Sequence, residues 1–355
     1  MANNRIFYAC QAVALGPCFD GGLTEVHGVQ SVGVNTTFNL EQAFELGQIQ
    51  IYENIEGLPD VEVTLEKVLD GYPLMYHLSC QGTLVDGKTL VNRAKGRTCV
   101  ALGIYPDDKD AVSGQAPVTV YMSGMYINSI SYTFPVDGNA TESITLVGNH
   151  KIWTASSGLF ASGLANELSN FGQGTDEPKA LTDALGGIQR REDFYLPSSI
   201  LPSSIYGVVG TGAGNGWDNA LGAPRVHIQN CSISTDLGRE PILELGRKAP
   251  YYRAPNYPVE VTCEFEVISV SGDFIPAYEE GRPEWANTRN AGNNTPEEII
   301  KVVTHDGTSI DLGNKCRLTS ITYGGGDAGG GNVSQTYSYV TYNTMTVEHP
   351  EDPDT

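Results

Sequence analysis

The sequence predicts an all-β protein with minor helix, built as two related β domains in tandem. Three observations predict it. Stretches of strand periodicity alternate with Gly- and Asp-containing turns along most of the chain, and 41 glycines and 18 tyrosines suit many turns and many strands. A strand–loop–strand block occurs twice. The length of 355 residues fits about two domains.

The repeat fixes the architecture. One copy holds Gln30-Ser31-Val32-Gly33-Val34, Glu45-Leu46-Gly47 and Val61-Glu62-Val63-Thr64. The other holds Gln229-Asn230-Cys231-Ser232-Ile233, Glu244-Leu245-Gly246 and Val259-Glu260-Val261-Thr262. The Gln and Glu pairs lie 199 residues apart and the Val-Glu-Val-Thr strings 198 apart. A later echo, Ile127 to Tyr132 against Leu318 to Tyr323, has an offset of 191. The expected units are an N-terminal extension (1–23), a first β domain (24–155), an inserted segment (156–223), a second β domain (224–347) and an acidic tail (348–355).

Residues 1–23 read as an extended lead-in, with Ile6 to Ala9 a short strand and Gly16-Pro17 a break. Val29 to Thr37 is a strand. Leu40 to Leu46 fits either one helical turn or an apolar loop anchor. Ile49 to Tyr52 is a short apolar piece. Val61 to Val68 places Val and Leu on one face and Glu62, Thr64 and Glu66 on the other, the period of a half-buried strand. Pro73 to Leu78 is helix or loop, and Thr98 to Tyr105 a strand. Val118 to Met125 and Met125 to Phe134 are strands broken at Ser123-Gly124, and Thr141 to Trp153 closes the domain. About 70 residues is long for a connection, so 156–223 is expected to lie across a neighbour. The second domain repeats the plan with Val226 to Ser234, Val259 to Val270, Glu298 to Thr304, Leu318 to Tyr323 and Gln335 to Val347. Glu348 to Thr355 is expected to fray.

The formal net charge is −21. Residues 1–155 carry 16 acids against 8 bases and residues 226–355 carry 19 against 9, so both repeats are acidic. Such a surface repels nucleic acid and anionic membrane; simple solubility explains it equally well. Seven cysteines without a Cys-x-x-Cys favour buried thiols over a disulfide framework or zinc site. The first ten residues lack the apolar core of a signal peptide, and no run approaches the roughly 20 apolar residues of a membrane helix. A cytosolic site of synthesis is expected, with no membrane partner.

Catalytic patterns are missing. There is no Gly-x-Ser-x-Gly elbow and no His-Glu-x-x-His. Gly210 to Gly216 follows an apolar stretch but lacks dinucleotide spacing and any Gly-Lys-Ser/Thr, so a flexible loop is the better reading. The six histidines form no ligand pair. Neither enzyme, cofactor nor metal is expected.

The order of pieces, above all Ile49 to Thr64 and Leu318 to Val347, resembles the major tail tube proteins of long-tailed bacteriophages. The resemblance covers about 24–155 and 224–347. It implies tandem tail-tube-like β-sandwich domains, rings that close into a β-barrel-lined tube, and stacking into a hollow virion tail through which double-stranded DNA leaves without sticking. It also implies assembly in the host cytoplasm, a homotrimer with pseudo-six-fold symmetry, and tail partners: terminator, baseplate and possibly sheath. Subunit and inter-ring contacts would fall on Leu40, Phe44, Leu46, Ile51, Tyr52 and Leu58 in one repeat and Ile242, Leu245, Tyr251 and Tyr252 in the other, apolar anchors among charges. Candidate lumen acids are Glu62, Glu66, Glu260, Glu264 and Glu266, for which an outward solvated face fits equally. Competing readings are a tail terminator, baseplate hub or capsid decoration protein, and a carbohydrate-binding double β-sandwich with Trp217 or Trp285 at a loop tip.

Overall fold

The structure, a computed structural model, describes residues 11–18, 23–47, 49–81, 88–105, 118–155, 187–195, 202, 205, 227–268, 297–324 and 332–352. Their strands are β1 (Gln11–Pro17), β2 (Thr24–Glu25), β3 (Val29–Thr37), β4 (Leu40–Phe44), β5 (Ile51–Glu56), β6 (Asp60–Val68), β7 (Thr98–Ile104), β8 (Val118–Pro135), β9 (Thr141–Gly148), β10 (Ile152–Ala155) and β11 (Phe194–Tyr195). The second half adds β12 (His227–Asp236), β13 (Glu240–Ile242), β14 (Tyr252–Ala254), β15 (Glu260–Ile268), β16 (Lys301–Thr304), β17 (Ser309–Asp311), β18 (Arg317–Gly324), β19 (Ser334–Tyr342) and β20 (Thr346–Glu348). Two short helices, α1 (Met75–Ser79) and α2 (Leu90–Arg93), lie in the first half.

Eight strands form one antiparallel run in the order β3-β6-β9-β8-β12-β15-β19-β18. Its two halves, β3-β6-β9-β8 and β12-β15-β19-β18, have the same order in sequence and in space. Local irregularities recur with them. The β3–β6 ladder bulges between Val29 and Ser31, and the β12–β15 ladder between Ile228 and Asn230. At each bulge a glutamine reaches back two residues: Gln30 Nε2 donates to Gly28 O (3.3 Å) and Gln229 Nε2 to His227 O (3.5 Å). A second bulge recurs at Asn128 in β8 and Thr319 in β18. The registers correct one sequence pairing. Val61 faces Thr36 and Val261 faces Thr235, so Val61 matches Val261, two residues beyond its partner in the string match. A slip of two leaves every side chain on its own face, which is why the strings alone mislead.

β8 is one 18-residue strand where two were expected. Gly124 (φ +65°) does not end it. Its first half pairs with β7 and β10, its second with β9 and β12. β1 pairs with β7 along seven residues, so the stretch expected as a lead-in supplies a buried strand. Cys18 and Cys99 form a disulfide, correcting the expectation of free thiols; Cys80, Cys231, Cys263 and Cys316 are free and buried. The strand expected over Gln335 to Val347 is split at Asn343, whose φ of 63° suits asparagine better than most residues. The chain then enters a second, four-stranded sheet, β11-β16-β17-β20. Leu40 to Phe44, left open between helix and loop, is a strand of a two-stranded hairpin.

The core is shared by both halves. Val61, Val63 and Leu65 of β6, Val261 and Phe265 of β15, and Val302, Ile310 and Val347 of the four-stranded sheet belong to one buried cluster. Residues 187–195 tie the halves together: Gln189 N donates to Leu69 O, Ala140 N to Gln189 O, and Gln189 Oε1 accepts from Asp306 N. Buried polar groups fix the packing of α1. Glu142 accepts from the N–H of Met75 (2.7 Å) and Tyr76 (3.0 Å) and from Tyr132 OH (3.0 Å).

The C-terminal segment does not fray through Asp352. His349 and Asp352 are each 5% exposed, and Asp352 pairs with buried Arg93 at 2.5 Å. Burial depresses the His77 imidazole to about 3, reinforced by the Arg93 charge, and burial also lowers His349. A histidine depressed in the folded state costs stability as pH falls below its unfolded value of 6.5, because the unfolded chain takes up the proton first. Unfolding free energy should therefore decline from about pH 6.5 towards pH 3 through His77, by roughly 1.4 kcal/mol per pH unit, and His349 should steepen the decline below pH 6.5. Denaturant melts at pH 7, 5.5 and 4.5 measure this. A His349→Asn variant should show the shallower decline; an unchanged slope would exclude His349 as a cause.

Candidate functional site: a polar sheet face and two projecting hairpins

Alternation along the eight-strand run sorts its side chains by face. One face is core. On the other, cross-strand registers align Ser31, Glu66, Ser143, Ser131, Ser234, Thr262, Val340 and Arg317 in one row across all eight strands. A neighbouring row holds Thr133, Ser232, Glu264, Ser338 and Ser320. Another holds Gly33, Thr64, Thr145, Ser129 and Asp236. Hydroxyls and carboxylates dominate the face, with Val340 in the first row and exposed Tyr342 opposite Glu260. Lys67, the lysine of β6, is turned into the core and held by Asp70 at 3.2 Å. Among the described residues of the run, Arg317 is the arginine on this face, and it stands at the foot of β18 paired with Glu297 at 3.2 Å.

All five candidate acids lie on this face. Glu62 and Glu66 alternate with core residues on β6, and Glu260, Glu264 and Glu266 do the same on β15. Hydroxyls steady two of them: Ser31 Oγ donates to Glu66 (3.4 Å) and Ser338 Oγ to Glu264 (3.1 Å). At the β8–β12 joint the face is hollowed by about 410 Å³, lined by Ser129, Ser131, Ser143, Ser234, Glu260 and Thr262 among others.

Two hairpins project from the run. β4 and β5 form one, β13 and β14 the other. Each follows the first strand of its half and turns at a left-handed glycine, Gly47 (φ +91°) or Gly246 (φ +83°), where a side chain would be strained. Their apolar residues face outward. Leu46, Ile49 and Leu245 are fully exposed, and Phe44, Leu40, Tyr52, Leu243 and Tyr251 are more than half exposed. Ile51 and Ile242 are also exposed. Leu58 and Tyr252 depart from the expected set: both are only half-exposed, and Tyr252 stacks edge-on against Tyr126 at 5.7 Å. Phe38 (70% exposed) and Ile49 join the apolar surface although sequence reasoning did not single them out. Their signal was available, since an isolated aromatic between Thr37 and Asn39 has no apolar neighbour to pack on.

The root of the second hairpin is bolted to the first half. Arg239 donates to the carbonyls of Ile127 (2.7 Å), Arg253 (3.0 Å) and Ala94 (2.5 Å), with its guanidinium 5.3 Å over the Tyr126 ring. Burial lowers the Arg239 pKa from its ordinary value. Arg253 bonds Asp60 (2.7 Å) and Asn149. Burial pushes the Asp60 carboxyl up, but hydrogen bonds from Asn39 and Arg253 outweigh it and hold it below the usual range.

Among the described residues, no group of three or more His, Cys, Asp or Glu is placed to hold a metal ion, and no helix is long and apolar enough to cross a membrane. Trp217, Trp285 and the Gly210 to Gly216 loop lie outside the described residues.

No family model matches the chain, and no curated protein matches it. Solved structures do. The tube-terminating cap of the anti-feeding prophage is 13% identical over 44% of this chain and 95% of its own, with a TM-score of 0.32. A chain of the extended sheath–tube complex of the extracellular contractile injection system PVC is 15% identical over 43% and 94%, also at 0.32. A chain from the tail of an empty gene transfer agent particle is 13% identical over 42% and 100%, at 0.29.

Proposed function

We propose that the chain is a non-enzymatic structural subunit of a phage-type virion tail, the tail tube. Copies close into rings, rings stack, and the hydroxyl and carboxylate face lines the channel. The observation that carries this reading is that face: eight strands of Ser, Thr and Glu, with its arginine confined to one end. Double-stranded DNA carries about one negative charge per 1.7 Å of its axis. A wall dominated by carboxylates and small hydroxyls repels it, and Tyr342 and Arg317 interrupt that wall only near the β18–β19 edge. DNA would then slide without sticking.

The two halves are read as a duplicated tube domain, supported by their common strand order and recurring bulges. Three chains would supply six such domains, a homotrimer with pseudo-six-fold symmetry. The hairpins support stacking: exposed Leu46, Ile49 and Leu245 pack on nothing among the described residues. A head-to-tail contact that does not close generates a filament. Terminator, baseplate and sheath proteins are the expected further partners, with assembly in the host cytoplasm.

Negative-stain imaging of the purified protein at rising concentration tests this. Hollow tubes are expected; compact monomers at every concentration would overturn it. The lining has its own test. Tubes carrying Glu62→Lys, Glu66→Lys, Glu264→Lys and Glu266→Lys should retain labelled double-stranded DNA at 50 mM salt and release it near 500 mM. Wild-type tubes should retain none at either. Retention by wild type would remove the sliding role.

A further inference from the structure

We propose that a second copy of this chain completes the sheet at its two open edges, β3 and β18, in the register that β12 and β8 use inside the chain. The inference rests on the ring reading and specifies its joint. The internal β8–β12 pairing joins the last strand of one half to the first strand of the next. Its equivalents, β18 as last strand and β3 as first, are the two ends of the same run. Among the described residues, neither edge pairs with a further strand. β3 reads Val-Gln-Ser-Val-Gly-Val-Asn-Thr-Thr, nine residues with no charge and no proline, and β18 carries one charge, at its start. Long uncharged edges invite pairing and are normally blocked.

The internal joint sets Asp236 opposite Ser129, Thr235 opposite Ile130, Ser234 opposite Ser131 and Ile233 opposite Tyr132. The matched ladders and bulges equate β12 with β3 at 199 residues and β8 with β18 at 191. The joint between copies therefore sets Thr37 opposite Ser320, Thr36 opposite Ile321, Asn35 opposite Thr322 and Val34 opposite Tyr323. Exposures agree. At the internal joint Tyr132, Ile233 and Leu237 are 0–1% exposed, while their counterparts Tyr323, Val34 and Phe38 are 62%, 38% and 70% exposed. Leu237 enters the core as its N–H bonds Asn128 O at 2.7 Å. Phe38 is placed to do the same beside Thr319 of a second copy. Tyr323, Val34 and Phe38, bare in one molecule, would thus occupy at the joint the places that Tyr132, Ile233 and Leu237 occupy inside the chain.

The two joints differ in one respect. Arg239, which bonds three carbonyls at the internal joint, has Leu40 as its counterpart. The joint between copies lacks that lock, so rings should come apart into whole subunits before the subunits unfold.

Cysteine pairs test the register. Asn35 and Thr322 are exposed, so Asn35→Cys with Thr322→Cys should fold as wild type by circular dichroism. On mild oxidation this pair should give a non-reducing gel ladder ending in one closed species. It should form at least tenfold faster than the mismatched pair Asn35→Cys with Ser320→Cys, with single-cysteine variants giving none. Equal or faster linking of the mismatched pair overturns the register. Rings seen by microscopy without linking of the matched pair overturn this joint but leave the ring reading standing. Neither rings nor linking removes both.

Discussion

Replacing Leu46 and Ile49 together by aspartate is expected to abolish tube growth while leaving the subunit folded. Both side chains are fully exposed, so nothing within the molecule is lost. Surface changes away from special features usually alter stability by less than about 0.5 kcal/mol, and the thermal midpoint should stay within measurement error. Stacking is different. In the proposed stack, burying a leucine and an isoleucine against a neighbouring ring would contribute about 3–6 kcal/mol per hairpin, and that contact would repeat around the ring. Aspartate removes the contribution and adds a desolvation cost for two carboxylates. At 1.4 kcal/mol per factor of ten, the concentration needed for tubes should rise by 100-fold or more. Pelleting by ultracentrifugation reads it directly. The second hairpin provides an internal comparison, because Leu245→Asp removes one anchor where the first change removes two. Wild-type pelleting by the Leu46/Ile49 variant would show that this hairpin is not the stacking element.

Much of this architecture was legible because strand period and turn residues are local signals. Val61, Val63 and Leu65 alternate with Glu62, Thr64 and Glu66, and the faces they imply are the faces the structure has. The two excursions were legible as apolar anchors set among charges but not as hairpins, because the spacing of Leu40, Ala43 and Phe44 also fits a helical turn. The rest failed for physical reasons. Gln11 to Pro17 looks like a poor strand because Gly16-Pro17 usually breaks one, yet as the end of β1 the pair still lies opposite Cys99 and Thr98. Ser123-Gly124 looked like a break in β8 because a left-handed glycine ends most strands, whereas here it marks where the strand exchanges partners. The Cys18–Cys99 bridge spans 81 residues, and spacing alone does not encode a contact at that separation. The acids could be grouped on one side of each strand, but whether that side lines a channel or an outer solvated face is not written in the strand period. The acidic tail misled most. Charge at a chain end ordinarily means solvent, and nothing near Asp352 in sequence announces a partner 259 residues away.

That partner gives the largest expected loss of stability. Arg93 and Asp352 are both buried, with side chains 0% exposed, and are joined at 2.5 Å. Arg93 also lies 5.7 Å from the Tyr76 ring centroid, while its Nε and Nη1 have no hydrogen-bond partner among the described residues. Removing one member of such a pair leaves the other charge buried and uncompensated, so Arg93→Leu should cost about 3–5 kcal/mol in urea unfolding. Asp352→Leu should cost a similar amount, since it strands the guanidinium instead. The double variant should recover most of the loss, because two apolar side chains need no counter-charge. The recovery is the discriminating result. If the tail were solvated and the pair incidental, each single change would fall within about 0.5 kcal/mol and the double would add nothing. Truncation after Glu348 extends the same logic. It removes His349 and Asp352 together, exposes Arg93 and His77 at the foot of α1 and α2, and should destabilise the chain at least as much as Arg93→Leu. Since these residues join the first half to the end of the second, the loss should appear as one cooperative transition at lower urea, with no separate early phase for the tail.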